Sequence, residues 1–221
     1  MDRTEDAGPR GETAQRAERA AAVLRARIAA GEVAPGAKLP EVQLCADLQV
    51  SRHTLRSALQ TLAAEGLAER RPNVGVFVHA PTSEDLAEIY RVRRVVEIGA
   101  VRQAAFDAAT LDELDALVAH ARKRAAADDV AAVAEANQRF HRRLVAQAGS
   151  EQLSTFMERI LARMRLVFHV MRGEPTFHVE FAAGNAELVR LLRADDRDGA
   201  ERHMESYFDH AEQLLGARLG G

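Results

Sequence analysis

The chain has 221 residues, 47% hydrophobic and 29% charged, which is a soluble globular composition long enough for one large domain or two ordinary ones. It holds no run of about 18 apolar residues, so no membrane span is expected, and Met1-Asp-Arg-Thr-Glu-Asp lacks the apolar core of a secretory signal, so the cytoplasm is the expected compartment. A single cysteine, Cys45, excludes an internal disulfide; lying between Leu44 and Leu48, it is expected to be a buried thiol.

Net charge is −3, yet it is unevenly spread. Residues 16–80 hold nine Lys/Arg against six Asp/Glu, and residues 81–221 hold nineteen against twenty-three. A mildly basic front and an acidic back suggest a division of labour.

Residues 1–14 mix Asp, Glu, Arg, Gly and Pro without periodicity and read as a disordered tail. From Arg16 to Ala30 the pattern is helical, with Ala20, Val23, Leu24 and Ile28 as the inner stripe. Gly31 ends it, and Val33 to Pro40 reads as a loop with two prolines. Glu41–Leu48 is a short helix with Leu44 and Leu48 inward, and Gln49 and Val50 turn the chain. Ser51 is then a good N-cap. Leu55, Ala58, Leu59 and Leu62 recur at i, i+3, i+4 and i+7 as a buried stripe, while Arg52, His53, Arg56 and Gln60 fall on the opposite face. Gly66 supplies the stop. Two short helices, a tight turn and a basic second helix form a helix-turn-helix, whose front suits a major groove.

Short strands are expected around Leu67–Arg70 and Val76–Val78, joined by turn chemistry from Pro72 to Gly75. This hairpin makes a wing. Arg70 and Arg71 at its base could reach phosphates, and Gly75 would let the backbone approach closely. The front half, residues 15–80, thus reads as a winged helix-turn-helix domain.

From the Pro81-Thr82-Ser83-Glu84-Asp85 linker and cap onward there is no strand signal. Helices are expected near 84–107, 110–126, 129–148, 150–171, 178–194 and 196–216. The fold class is therefore mainly α, with residues 81–221 an all-helical bundle. Its inward stripes carry polar residues: Arg93 among Leu86, Ile89, Val96, Ala100 and Ala104; Asn137 and His141 beside Val133, Phe140 and Leu144; Asn185 ahead of Leu188, Val189 and Leu192; His203 and Tyr207 with Ala200, Met204, Ala211 and Leu214. Singly, each is more often a satisfied core residue. As a set, they point to a small-ligand cavity.

Residues 16–79 resemble the winged helix-turn-helix of the GntR family of bacterial transcription regulators. The resemblance rests on Ile28-Ala-Ala-Gly-Glu-Val-Ala-Pro-Gly-Ala-Lys-Leu-Pro40, Val50-Ser-Arg, Leu55-Arg-Ser-Ala-Leu59, Glu65-Gly-Leu67 and Arg71-Pro-Asn-Val-Gly75, in order and at family-like spacing. It implies that Arg52 and Arg56 contact DNA, with Ser51, His53 and Thr54 beside them and with Arg71 and Gly75 in the wing. Val42 and Val74 depart from it, standing where the family often has basic residues.

The segment Tyr90-Arg-Val-Arg-Arg-Val-Val-Glu97 and the Asn137-Gln-Arg-Phe-His141 block resemble the FCD effector-binding domain of the FadR subfamily. Many such domains hold a divalent metal through an Asp four residues before a His, plus two later His, a set suited to zinc, nickel or manganese. The corresponding positions here are Asn137, His141, Asn185 and Tyr207, of which only His141 matches. The expectation is therefore a metal-free site, with His203 as the one residue that could rescue it. Arg93 would be the charge partner of a carboxylate, with Arg163 and Arg165 as further candidates, because such regulators typically sense small organic acids; without the metal, a neutral or larger acyl-type ligand stays open as well.

Together these readings imply a homodimeric repressor of a palindromic operator, controlled by a small-molecule effector bound through Arg93, Asn137, His141, Asn185, His203 and Tyr207. Two alternatives stay open. A metal-dependent helical enzyme is opposed by the scatter of the histidines and the lack of a His-Glu-x-x-His motif. A constitutive DNA-binding protein would have purely structural core polar residues.

Overall fold

The computed structural model describes residues 9–170 and 177–219, and the chain divides into two compact units, Met1–Ala80 and Pro81–Gly221. The first opens with α1, Pro9–Ala30. Residues 9–14, read above as tail, are thus helical, helped by Glu12 in the positive first turn and its pairing with Arg16 one turn on. Residues 1–8 of that expected tail lie outside the described residues. The buried line of α1 is Ala17, Ala20, Ala21, Leu24 and Ile28, whereas Val23, expected inside, is exposed because it sits a residue off that line. Arg25 fastens α1 to the end of the third helix by donating to both oxygens of Glu65 at 2.8 and 2.6 Å.

Part of the expected loop is a strand. Lys38–Leu39 forms β1, too short for any periodicity to announce, and its Leu39 is buried. After it come α2 (Glu41–Leu48) and α3 (Arg52–Ala64), separated by Gln49 in the left-handed region at φ 53°. On α2 only Leu44 is fully buried; Leu48 and the Cys45 thiol, expected inside, are half-buried because so short a helix covers little of its own flank. The Ser51 hydroxyl caps α3 by accepting the Thr54 N–H at 3.1 Å. Leu55, Ala58, Leu59 and Leu62 then face the core. Gly66, at φ 73°, lets the chain leave the helix into β2 (Ala68–Arg71), and a turn through Pro72, Asn73 and Val74 returns it as β3 (Gly75–Val78). The sheet is antiparallel in the order β1-β3-β2.

The second unit starts at a capping box in which Thr82 and Asp85 satisfy each other's backbone N–H groups. The single helix expected over 84–107 is instead α4 (Ser83–Arg93), a π-helical turn at Arg94–Ile98, and α5 (Gly99–Gln103). The wider turn is held from outside, where Arg94 donates to Glu212 at 2.8 Å and Asp209 at 2.6 Å on the last helix. Then follow α6 (Ala108–Ala125), α7 (Val130–Ala146), α8 (Glu151–Val170), α9 (Phe177–Arg193) and α10 (Arg197–Leu219). Their apolar stripes meet in one core through Leu86, Leu114, Phe140, Met164, Leu188 and Phe208. Two stripe positions are displaced by one residue: Glu97 rather than Val96, and Leu215 rather than Leu214, lie innermost.

Cap and core should be separable in unfolding experiments. Ser51→Ala should cost about 1 kcal/mol through the lost cap. Leu144→Ala should cost about 3 kcal/mol, because the fully buried side chain leaves a cavity. Urea unfolding followed by circular dichroism measures both.

Candidate nucleic-acid interface and buried polar cluster

The first turns of α3 present Arg52, His53, Arg56 and Gln60 to solvent. Arg56 keeps 61% of its side chain exposed while its Nε donates to Glu41 Oε2 on α2 at 3.3 Å, and among the described residues neither terminal nitrogen of its fork has a partner. A planar fork of this kind reads guanine O6 and N7 or clasps a phosphate. Two of the residues expected to support it are otherwise engaged. Thr54 is only 5% exposed and its hydroxyl lies 2.8 Å from that of Ser51, so it belongs to the cap and not to the outward face. The Ser51 oxygen itself is spent on the Thr54 amide. The apolar departures are fully on view, Val42 at 72% and Val74 at 53% exposure. In the wing, Arg71 donates through Nε to Glu69 at 2.8 Å and lies over the Phe77 ring at 4.2 Å. Gly75 has φ +133°, a conformation that side chains resist.

Inside the second unit the polar residues meet. Arg93, Glu97, Asn137, His141, Asn185 and Tyr207 are all buried, drawn from α4, the π-helical turn, α7, α9 and α10. Asn185 Nδ2 donates to Asn137 Oδ1 at 2.7 Å, and Asn137 acts on the Tyr207 phenol, against the upward push of burial. Tyr207 lies 3.3 Å from His141 Nε2, His141 Nδ1 lies 2.6 Å from Glu97 Oε2, and Arg93 Nε donates to Glu97 Oε1 at 2.7 Å. One proton order satisfies the line: His141 carries its hydrogen on Nδ1, toward the carboxylate, and accepts on Nε2 from the tyrosine. The guanidinium also lies over Tyr90 and Phe208, at 5.2 and 4.9 Å, while its Nη2 has no hydrogen-bond partner among the described residues.

Charge is balanced within this line. Burial pushes the Glu97 carboxyl up, but the Arg93 charge and the hydrogen bonds from Arg93 and His141 outweigh it and hold it below the ordinary range. Burial pushes the His141 imidazole down, against the pull of Glu97, so the ring is neutral. Burial likewise drives the Tyr90 phenol up to about 12 and raises Tyr207 further, so both keep their protons. The Tyr207 ring rests on Gly184, where an added Cβ would stand 2.6 Å from it.

Several sequence expectations change here. Glu97 was missed as a site residue, although its i, i+4 spacing from Arg93 on a helical pattern was available. Arg93 is already paired through its Nε with Glu97, which leaves Nη2 as the buried part of its fork without a partner among the described residues. His203 is half-buried and turned toward α9, its Nε2 2.7 Å from the Gly184 carbonyl. Arg163 is bonded to Asp85 at 3.2 Å, and Arg165 to Gln138 and Glu135, so neither joins the cluster.

The donor set does not fit the divalent metal that the resemblance implies. Both nitrogens of His141 are engaged, Asn137 and Asn185 are neutral amides bonded to each other, and Tyr207 is a protonated phenol. Among the described residues no group of three His, Cys, Asp or Glu side chains is placed to hold a metal ion.

A basic recognition helix with a wing, carried on one chain with an all-helical unit built around buried polar groups, defines a two-domain DNA-binding transcription regulator. Residues 16–78 match the family described as bacterial regulatory proteins, gntR family, and residues 88–210 match the FCD domain. The chain belongs to the GntR family of bacterial transcription regulators, with an FCD domain as its C-terminal part, and is not an enzyme. The crystal structure of a GntR transcriptional regulator from Rhodococcus sp. RHA1 is 36% identical, with a TM-score of 0.83 over 91% of this chain and 97% of that one. An HTH-type transcriptional regulator in an unstable DNA locus of Streptomyces ambofaciens is 29% identical over 198 residues, covering 86% of this chain and 83% of that protein. The gluconate operon transcriptional repressor of Bacillus licheniformis is 40% identical over 79 residues, 36% of this chain and 32% of that protein. Among the described residues no helix is long and apolar enough to cross a membrane.

The charge line makes stability depend on pH with a definite sign. Folded His141 and Glu97 both hold their protons less tightly than in the unfolded chain, so acid favours unfolding. Stability should fall as pH drops below 6.5, the ordinary imidazole value, and fall again below 4.5 as the carboxylate is titrated. Thermal unfolding from about pH 7.5 to about pH 5.5 should show the first descent in the parent and lose it in His141→Gln. Glu97→Gln should cost about 3–5 kcal/mol, because it strands the Arg93 charge in the core.

Proposed function

We propose that this protein is an effector-controlled repressor that binds a palindromic operator as a homodimer in the cytoplasm. The observation that carries the reading is the pair Arg52 and Arg56, exposed at the capped start of α3 in a chain that also carries an FCD domain. Ser51 supports them through the cap, His53 is beside them, and Arg71 and Gly75 shape the wing. Two copies would place two such helices in successive major grooves, about one helical turn apart. The likeness of 79 residues of this chain to the gluconate operon repressor of Bacillus licheniformis favours repression over activation.

For the effector, the reading centres on Arg93, Asn137, His141, Asn185 and Tyr207, with His203 at the margin. The Arg93–Glu97 pair is neutral as a unit, and the other members are uncharged. The donor left for a ligand acceptor is Arg93 Nη2. A small organic acid or a related metabolite suits that donor and the neutral amides and phenol around it. By linkage, such an effector must bind the DNA-free and DNA-bound forms with different affinity. A second reading is favoured by the cluster itself: its members already bond one another, as they would in a constitutive DNA-binding protein with a structural polar core.

A duplex selected from a random-sequence pool by the full-length protein provides the test. Arg56→Ala should weaken binding to it by about tenfold to a hundredfold, the worth of about 1–3 kcal/mol for a good base contact. The double variant Arg52→Ala, Arg56→Ala binding as tightly as the parent would remove α3 as the reading element. A thermal-shift screen of small organic acids should give a compound that stabilises the parent and releases the duplex. That compound should fail on Tyr207→Phe, and a flat screen would favour the constitutive reading.

A further inference from the structure

The wing of this protein carries a cation that comes from outside the hairpin. Lys38 lies on β1 directly opposite Phe77 of β3, and Phe77 lies opposite Glu69 of β2, so the three side chains share one face of the sheet. Arg71 and Gly75, two residues further along their strands, stand on that same face and pair with each other at the hairpin tip.

The charges on this face are not equivalent. Arg71 is committed to Glu69, with Nε 2.8 Å and Nη2 2.5 Å from the carboxylate, and its guanidinium is stacked on Phe77. The pair cancels, and the same carboxylate has His79 Nδ1 3.7 Å away. Lys38 is exposed, and among the described residues no carboxylate pairs with it; its recorded neighbour is the Phe77 ring, 5.9 Å from Nζ.

Gly75 explains how the lysine reaches this place. A Cβ at Gly75 would stand 3.1 Å from Lys38 Cε and 3.8 Å from Nζ, so the missing side chain opens the space through which the lysine stem runs. The stem is thereby laid toward the hairpin tip, with the ammonium at its end. A long side chain whose apolar stem rests on a ring and a glycine, and whose charge has no internal partner, presents that charge outward.

From this arrangement we infer that Lys38, supplied by β1, takes a DNA backbone phosphate as the wing approaches the duplex, while Arg71 serves mainly to brace the wing through Glu69 and Phe77. The inference rests on the DNA-binding reading above and adds a contact that lies in neither the recognition helix nor the hairpin. An ammonium is suited to a phosphate as a compact point charge and carries no base information, so the contact sets register and affinity and leaves sequence choice to α3.

The experiment measures binding of the selected duplex, and of a scrambled duplex, across a series of KCl concentrations for the parent, Lys38→Ala, Lys38→Arg and Arg71→Ala. Each phosphate neutralised contributes about 0.9 to the slope of log affinity against log salt. Lys38→Ala should therefore lower the slope by about 0.9, so that a fourfold rise in salt costs it about 3.5-fold less affinity than it costs the parent. The loss should be alike on both duplexes, Lys38→Arg should restore the slope, and Arg71→Ala should change it less than Lys38→Ala does. An unchanged melting temperature would confirm that Lys38→Ala is folded. A Lys38→Ala slope equal to the parent's would overturn the inference, as would a full phosphate's loss in Arg71→Ala alone. The Arg52→Ala, Arg56→Ala control separates the levels: if it loses the duplex while Lys38→Ala keeps the parental slope, only the Lys38 contact falls.

Discussion

Glu97 has no exposure to water and still carries a charge, and much of the helical unit is arranged so that it can. An isolated carboxylate in such a place would take up a proton, because burial alone raises its pKa. Arg93 and His141 prevent this, one as a full positive charge and the other as a neutral donor. The requirement then spreads. His141 needs a donor on its other nitrogen and finds the Tyr207 hydroxyl; Tyr207 needs a flat surface for its ring and finds Gly184. The π-helical turn at Arg94–Ile98 belongs to the same demand, since both Arg93 before it and Glu97 within it are held inward while Arg94 is turned out to Asp209 and Glu212. Turns of this kind are often found at functional sites. Removing one charge from such a pair is costlier than never having had it.

The same cluster explains why the divalent ion common among related domains meets no fitting set of donors among the described residues of this site. An ion needs deprotonated, convergent ligands. Where the resemblance would put carboxylate and imidazole, this chain has two amides that satisfy each other and a phenol whose proton is secured by burial. Cohesion that a metal could supply is provided by hydrogen bonds running across α4, α7, α9 and α10 and the turn between α4 and α5. A ligand that enters this cluster must exchange bonds with groups that are already paired, so affinity depends on how well it replaces them.

In the DNA-binding unit the charges are distributed by a different rule. Glu65 and Glu69 neutralise Arg25 and Arg71, which brace the fold, whereas among the described residues no carboxylate pairs with the exposed Arg52 and Lys38. Arg56 is intermediate, steadied by Glu41 through one nitrogen. The unit is only mildly basic in sum, and among the described residues Arg52 on the recognition helix and Lys38 at the β1 edge belong to the cations that no carboxylate neutralises. Local pairing, more than net charge, therefore decides which arginines are available to an anionic partner.

Local pattern was enough to determine the winged helix-turn-helix, the α3 stripe of Leu55, Ala58, Leu59 and Leu62, the Ser51 cap and the all-helical second half, because each is written in short-range spacing and capping chemistry. It also picked out Arg93, Asn137, His141, Asn185 and Tyr207 as inward polar residues, since a helix stripe places polar and apolar side chains alike. What it could not determine was pairing between distant segments. The two-residue strand at Lys38–Leu39 exists only because β3 is there to receive it. Thr54 turned out to be a cap member, His203 went to a backbone carbonyl, and Glu97 took the inner place expected for Val96, each decided by a partner or a turn that the local pattern does not encode. Local spacing sets which side most residues face. Only the tertiary structure decides what it meets there, and for charged groups that meeting determines whether they carry the fold or remain free to bind.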